Sequence, residues 1–359
     1  MADSHVFAGI VRWPGGASMA APPGTLGGVF RLPLGGTEWE HVTSGLPEEC
    51  HVPCLTVDPH DPARIYAGTQ EGPYLSTDGG ASWSRLDFPH RDRQVWAIAV
   101  HPRDPRRLYV GTSPLGVFLS ADGGGTWREA PSAALPDAAE MGSFVNRVMR
   151  FAFNPARPEE MFAALEVRGV IRSTDGGETW TDRSDDLIRI AEREPHLRSA
   201  ILTKHTAEGM LDAHAIAISA AAPETPFAAL RMGLFRSDDH GAHWRDLELR
   251  KVSPITYGRD VRVSPHDPRT LYATLSTAAS GATGSVWRSR DAGESWQRFD
   301  APLAPDGTMM AVVPSPRDAA VVYAATRRGE VYGTLDEGAS WRKAPLPKAC
   351  GPVMALAVN

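Results

Sequence analysis

From one end to the other the chain alternates short apolar runs with polar turns rich in Gly, Pro, Asp and Ser. Runs of about three to six apolar residues suit strands and are too short for ordinary helices. One stretch displays the unit: His101-Pro102-Arg103-Asp104-Pro105 makes a turn, Leu108-Tyr109-Val110-Gly111-Thr112 a β-rich run, and Gly116-Val117-Phe118-Leu119-Ser120 a further strand after a Gly turn. A last short strand opens at Trp127. An apolar triplet begins each unit: Leu55-Thr56-Val57, Ile98-Ala99-Val100, Phe151-Ala152-Phe153, Ile216-Ala217-Ile218, Val261-Arg262-Val263 and Val312-Val313-Pro314, with Leu356-Ala357-Val358 at the C-terminal end.

One polar turn recurs before the last strand of each unit. Ser76-Thr77-Asp78-Gly79-Gly80-Ala81-Ser82-Trp83 has clear copies ending at Trp127 and Trp180, looser ones at Trp244, Trp296 and Trp341, and a degenerate one at Trp39. The Trp-to-Trp spacings are 44, 44, 53, 64, 52 and 45, and four short strands at such a period make a β-propeller blade. The final triplet has no partners after it, while Val6-Phe7-Ala8-Gly9 and Gly28-Val29-Phe30 at the N-terminal end lack an inner strand. Pairing the two ends closes the ring and leaves no open sheet edge. The expected fold is therefore all-β, a single seven-bladed propeller over residues 1–359. Two segments exceed the repeat, 181–211 and 131–145, and are expected as insertions over the channel face. The first holds His196, His205 and a helical turn or two at Asp185–Arg193, and the second holds Asp137, Glu140 and Met141.

Composition narrows the function classes. The 34 Gly and 30 Pro supply the turns, and the net charge of −6 without a basic block argues against nucleic acid. No apolar run reaches the ~18 to 20 residues of a membrane helix, and the first residues lack the pattern of an export signal. Three cysteines, Cys50, Cys54 and Cys350, are too few for a disulfide framework. These features point to a cytoplasmic, monomeric protein with no membrane partner.

The Ser-x-Asp-x-Gly-x-Thr-Trp turn resembles the Asp-box, or BNR repeat, of sialidases, sortilin-type receptors, family 74 xyloglucanases and the photosystem II assembly factor Ycf48. Seven blades and the phrase Asp-Pro-x-x-hydrophobic-Tyr-x-Gly make the chain most similar to the Ycf48-like group and to single xyloglucanase-type propellers. The resemblance implies fold far more than function, and implies that the box lies away from the active face. Six blades are usual in sialidases, and Phe30-Arg31-Leu32-Pro33, which matches their Phe-Arg-Ile-Pro-like segment, overlaps the degenerate turn by register.

Candidate chemistry lies where the inner strands begin, because those starts converge on the central channel. The polar residues there are His51, Arg93-Gln94, Asn146-Arg147, Asp212 with His214, Tyr257 with Arg259-Asp260, and Thr308. Arg93, Gln94, Asn146, Arg147 and Arg259 suit a small anionic or polyhydroxyl ligand, with Arg offering a planar fork to carboxylate or phosphate. Asp212, His214, Tyr257 and Asp260 are the groups for hydrolase or lyase catalysis, metal-assisted or glycosidase-like and sialidase-like. His51, Asp212 and His214 form a candidate set for a divalent metal. The glycosidase variant adds Glu71, Glu166 and Glu330 as face-side carboxylates, while Cys50 and Cys350 at neighbouring blade starts form a candidate thiol pair beside His51. The competing class is a non-catalytic interaction or assembly scaffold of the Ycf48-like kind, using Arg12, Trp13, Arg168, Arg231, Arg327 and Arg328 on the turns of the same face.

Overall fold

Each apolar triplet becomes part of the innermost strand of a four-stranded antiparallel sheet, and seven sheets stand around one axis in the computed structural model, which describes residues 4–12, 21–131, 145–201 and 203–359. Blade I consists of Cys54–Val57, Ile65–Thr69, Gly72–Ser76 and Ser84–Arg85. Blades II to VI begin with Gln94–His101, Arg147–Phe153, Ala213–Ser219, Tyr257–Val263 and Met309–Pro314. Blade VII is composite: Val353–Val358 pairs with His5–Ile10, which continues to Gly28–Pro33 and Glu40–His41. The seven-bladed ring and its closure by the two chain ends are thus as the strand pattern predicts. The two ends are also tied by His5 N–H, which donates to Asn359 Oδ1 at 2.7 Å.

The core is a series of apolar layers between neighbouring blades, so inner strands are covered on both faces and read as apolar runs. The repeated turn holds each blade's outer half. In blade I, Asp78 Oδ1 accepts from Ser76 Oγ at 2.7 Å and from Ser82 N–H at 2.9 Å, while Gly80 N–H donates to Ser76 Oγ at 2.8 Å. The same bonds recur around Asp122, Asp175, Asp239, Asp291 and Asp336. Gly80 lies at φ +87°, and a Cβ there would come within 2.8 Å of Phe7 from the preceding blade, so glycine serves both the turn and the blade contact. Hydrogen bonds from the Thr126 N–H and hydroxyl hold Asp122 at about 2. Burial opposes this at Asp78 and Asp239, yet donors from Ser82 and His243 bring both to about 2 as well.

The 181–211 segment forms helix α1, Asp185–Arg193, and two single turns at Pro195–Leu197 and Glu208–Leu211. Leu187, Ile190 and Ala191 of α1 pack among Phe162 and Val170 of blade III and Ile216, Phe235 and Trp244 of blade IV. The Asp186 carboxylate accepts the Trp244 backbone N–H at 2.6 Å, so α1 is part of the inter-blade core. Asp137, Glu140 and Met141 lie outside the described residues, as does Trp13. No helix among the described residues is long and apolar enough to cross a membrane.

One irregularity prepares the centre of the ring. In six of the seven inner strands the pairing register slips by one residue near the start. The extra residues are Trp96, Met149, His214, Arg259, Met310 and Met354, and Pro53 precedes Cys54 at the corresponding place in blade I. A bulge of this kind leaves its extra residue out of the ladder and re-aims its side chain.

Candidate functional site

All seven of these residues line one cavity of about 290 Å³ on the propeller axis. Five neighbouring blades in ring order contribute Met310, Met354, Pro53, Trp96 and Met149, and the remaining two contribute His214 and Arg259. The inner ring is therefore apolar over five places and polar over two adjacent ones.

The polar side is heavily charged. Arg147, Arg150, Arg231, Arg259, Arg262 and Arg327 lie within reach of one another's fields or of Glu166, Asp212 and Asp260, which makes six guanidiniums to three carboxylates. Most of the charge is paired. Arg147 Nε lies 2.7 Å from Glu166 and its guanidinium stacks on Trp96 at 4.1 Å, while Arg231 lies 2.5 Å from Asp212. Asp260, fully buried, is shared by Arg150 at 3.0 Å and Arg262 at 3.2 Å, and it accepts the Val312 N–H of the next blade at 3.2 Å. Loss of solvation, then the like charge of Arg262, pushes Arg150 down to about 10.

Arg259 differs. Only 9% exposed, it makes no hydrogen bond and no ion pair among the described residues. Nearby charge reaches it only as a field, through which it acts on Asp212, Tyr257 and Arg327.

Beside Arg259 sits a buried acid–base group. Asp212 follows the Glu208–Leu211 turn, and its backbone carbonyl accepts the Arg231 N–H at 3.0 Å. His214 Nδ1 lies 2.6 Å from the Gly258 carbonyl, which makes Nδ1 the protonated nitrogen. His214 Nε2 then faces Tyr257 Oη and Asp212 Oδ1, each at 3.3 Å. Burial works to raise Asp212, but the charges of His214 and Arg231 prevail and hold its carboxyl well below the usual range. Burial raises the Tyr257 phenol to about 12, so it remains a donor at neutral pH. Glu166, Asp212 and His214 offer ligand atoms within 4.8 Å of one another.

The structure thus groups Asp212, His214, Tyr257 and Arg259, sets Arg147 beside them through Glu166, and places Asp260 at the Arg150–Arg262 pair. The other sequence candidates lie apart. Arg93 turns to the outer strand of blade II, where it pairs with Glu129 at 2.9 Å, and Gln94 accepts the Trp96 indole N–H at 3.1 Å. His51 accepts the Arg12 backbone N–H on Nδ1 at 2.9 Å and is not brought together with Asp212 and His214, whose neighbouring ligand atom comes from Glu166. Asn146 is buried, and neither side-chain amide atom has a hydrogen-bond partner among the described residues. Cys50, Cys54 and Cys350 are free thiols, with desolvation raising Cys50 and Cys54 to about 12 and Cys350 to about 11. Arg31 of the Phe30–Pro33 segment bonds Gly79 O in the repeated turn of blade I. Sequence reasoning missed Arg150, Arg262 and the apolar ring residues. The signal for the ring residues is one shared column, two places before each apolar triplet, whereas Arg150 lies one place before its triplet and Arg262 inside its own.

A family model described as Sortilin, neurotensin receptor 3 (Sortilin-Vps10) matches residues 71–215. No curated protein sequence matches the chain. Among solved structures, the GH74 xyloglucanase from Xanthomonas campestris is 18% identical with a TM-score of 0.66, over 94% of this chain and 55% of that one. The GH74 enzyme from Niastella koreensis is 15% identical with a TM-score of 0.54, over 96% and 68%. YCF48 from Cyanidioschyzon merolae is 15% identical with a TM-score of 0.56, over 83% and 86%. The chain spans little more than half the length of the xyloglucanase, and at these identities the likeness is one of fold, a seven-bladed β-propeller similar to the GH74 and YCF48 propellers alike.

Proposed function

We propose that the protein binds a small organic anion in its central channel, with Arg259 as counter-charge and His214 and Tyr257 as neighbouring hydrogen-bonding groups. Arg259 carries the proposal. A buried guanidinium without a partner is costly, and an arriving carboxylate would satisfy its fork bidentately. The excess of guanidiniums over carboxylates favours the same charge.

Turnover of the bound anion, of hydrolase or lyase type, would use His214 Nε2, the one nitrogen free of the Gly258 bond, with Tyr257 as donor. Glycoside hydrolysis by two carboxylates fits less well, because its general acid needs a raised carboxyl and Asp212 is held low. The resemblance to Asp-box enzymes supplies the fold for such chemistry and does not select among these reactions.

Two other readings each have an observation in their favour. The grouping of Glu166, Asp212 and His214 favours a divalent metal, which would have to displace Arg147 and Arg231 from the two carboxylates. A Ycf48-like scaffold is favoured by a cleft of about 640 Å³ lined by Arg12, Arg327, Arg328 and Lys348 with no carboxylate in its wall. Calorimetry separates them. Binding of acetate or inorganic phosphate to the wild type, weakened at least tenfold in Arg259→Met, is expected. An anion-silent protein holding stoichiometric zinc that His214→Ala releases would overturn the anion reading in favour of the metal.

A further inference from the structure

The arrangement of the seven inner positions says more about the ligand than its charge. Because six of the side chains issue from the same bulge in their own blades and Pro53 holds the corresponding place in blade I, the residues form one layer around the axis. His214 and Arg259, from blades IV and V, make a short polar arc. Met310, Met354, Pro53, Trp96 and Met149 make an unbroken apolar arc facing it. Past four of the five the next residue is small, Ala311, Ala355, Cys54 and Ala97, while Met149 is followed by Arg150, which also lines the cavity and is paired with Asp260. The cavity of about 290 Å³ matches roughly ten waters at ~30 Å³ each, too little for an oligosaccharide.

An inorganic anion bound at Arg259 would leave this thioether and indole wall facing water. Apolar surface around so small a site is better covered by the ligand's own carbon skeleton, and thioethers adapt to chains and rings alike. We infer that the ligand is an amphipathic monocarboxylate, its head on Arg259 beside His214 and its short alkyl or aryl arm against Met310, Met354, Met149 and Trp96. The inference rests on the anion-binding proposal and adds the chemical class of the ligand. It also assigns the three methionines the role of selecting for the arm.

The test is calorimetric titration of the full chain with acetate, butyrate, hexanoate and phenylacetate, with inorganic phosphate as the head-only probe. Affinity is expected to rise about three- to fourfold per methylene from acetate to butyrate and beyond until the cavity fills. Phosphate should bind no better than acetate. In the double variant Met310→Gln, Met354→Gln, hexanoate should fall to near the level of acetate while acetate is retained. Met310→Leu, Met354→Leu should keep the hexanoate advantage and control for folding. Equal affinities for acetate and hexanoate would overturn the amphipathic class and leave anion binding intact. Failure of every anion, phosphate included, would overturn the proposal beneath it as well.

Discussion

The outer turns and the inner bulges of this propeller are both repeated around the ring, and they treat sequence in opposite ways. At the outer turns a shared backbone carries shared side chains. Six copies place a Ser or Thr, an Asp and a glycine so that one carboxylate gathers the same donors each time. At the inner strand starts, six of them bulged, seven equivalent positions are filled by Pro, Trp, Met, His, Arg, Met and Met. In blade VII, whose turn lacks the Ser and Asp, bonds from Gly36 N–H to the Pro33 carbonyl at 2.8 Å and from Gly35 N–H to Tyr323 Oη at 2.9 Å serve instead. The other six turns need their residues for the carboxylate bonds. The bulge does not, because its extra residue lies outside the ladder and is free to serve something else. Repetition of side chains therefore marks scaffold in this molecule, and their divergence on a repeated backbone marks the candidate site.

The strongest way to break this comparison is to remove a charge that serves the inner region as scaffold. Asp260→Asn leaves Arg150 and Arg262 facing one another inside the ring and should cost about 3–5 kcal/mol in urea unfolding. A loss no larger than that of a surface substitution would mean the inner charges are solvated and the ring is wet. Arg259→Met should do the reverse. It removes a buried unpaired charge and should raise the Tm of the ligand-free protein by about 2–4 °C, a gain bought with the loss of anion binding. A fall in Tm would show that Arg259 is part of the scaffold after all.

Acid sharpens the outer half of the comparison. Unfolded aspartates titrate near 3.9, whereas Asp78, Asp122 and Asp239 are held at about 2 in the folded turns. A lowered folded value contributes stability above the unfolded value and loses it as pH falls through the folded one. Thermal scans should thus show Tm falling progressively between pH about 4 and about 2. Asp175→Ala, which empties a single turn, is the smallest expected effect, a Tm lower by about 2 °C with anion binding unchanged.

The ring was legible in the sequence because turns are demanding. The Trp spacing, the Ser-Asp-Gly run and the triplets each fix a local geometry, and the composite blade follows from counting which strands lacked partners. Helix α1 was legible from Asp185–Arg193, but its burial between blades III and IV depends on long-range packing that no local pattern carries. The candidate site was half legible. His214, Tyr257, Asp212 and Arg259 stood out as polar residues at strand starts. Arg93 did too, yet it lies before the slip between Val95 and Ala97 and ends against Glu129 on the outer strand. A bulge breaks the two-residue alternation, so counting from the strand start assigns faces that the backbone then exchanges. Counting from the triplets avoids this. The column just before them reads Cys54, Ala97, Arg150, Ala215, Asp260, Ala311 and Ala355, and its two departures from small residues are the buried ion pair.

The bulges also make the centre of the molecule modular. Six bulged slots of one shape, each rooted in a different blade, and the matching place at Pro53 behave like the wards of a lock whose pattern is set by which side chain occupies which slot. Exchanging the occupants of two slots, Arg259 with Met310 for instance, would move the guanidinium by about a seventh of a revolution and part it from His214 without asking any strand to move. New specificity in such a propeller is then a matter of permutation around an axis, and the sevenfold scaffold outside has no part in choosing it.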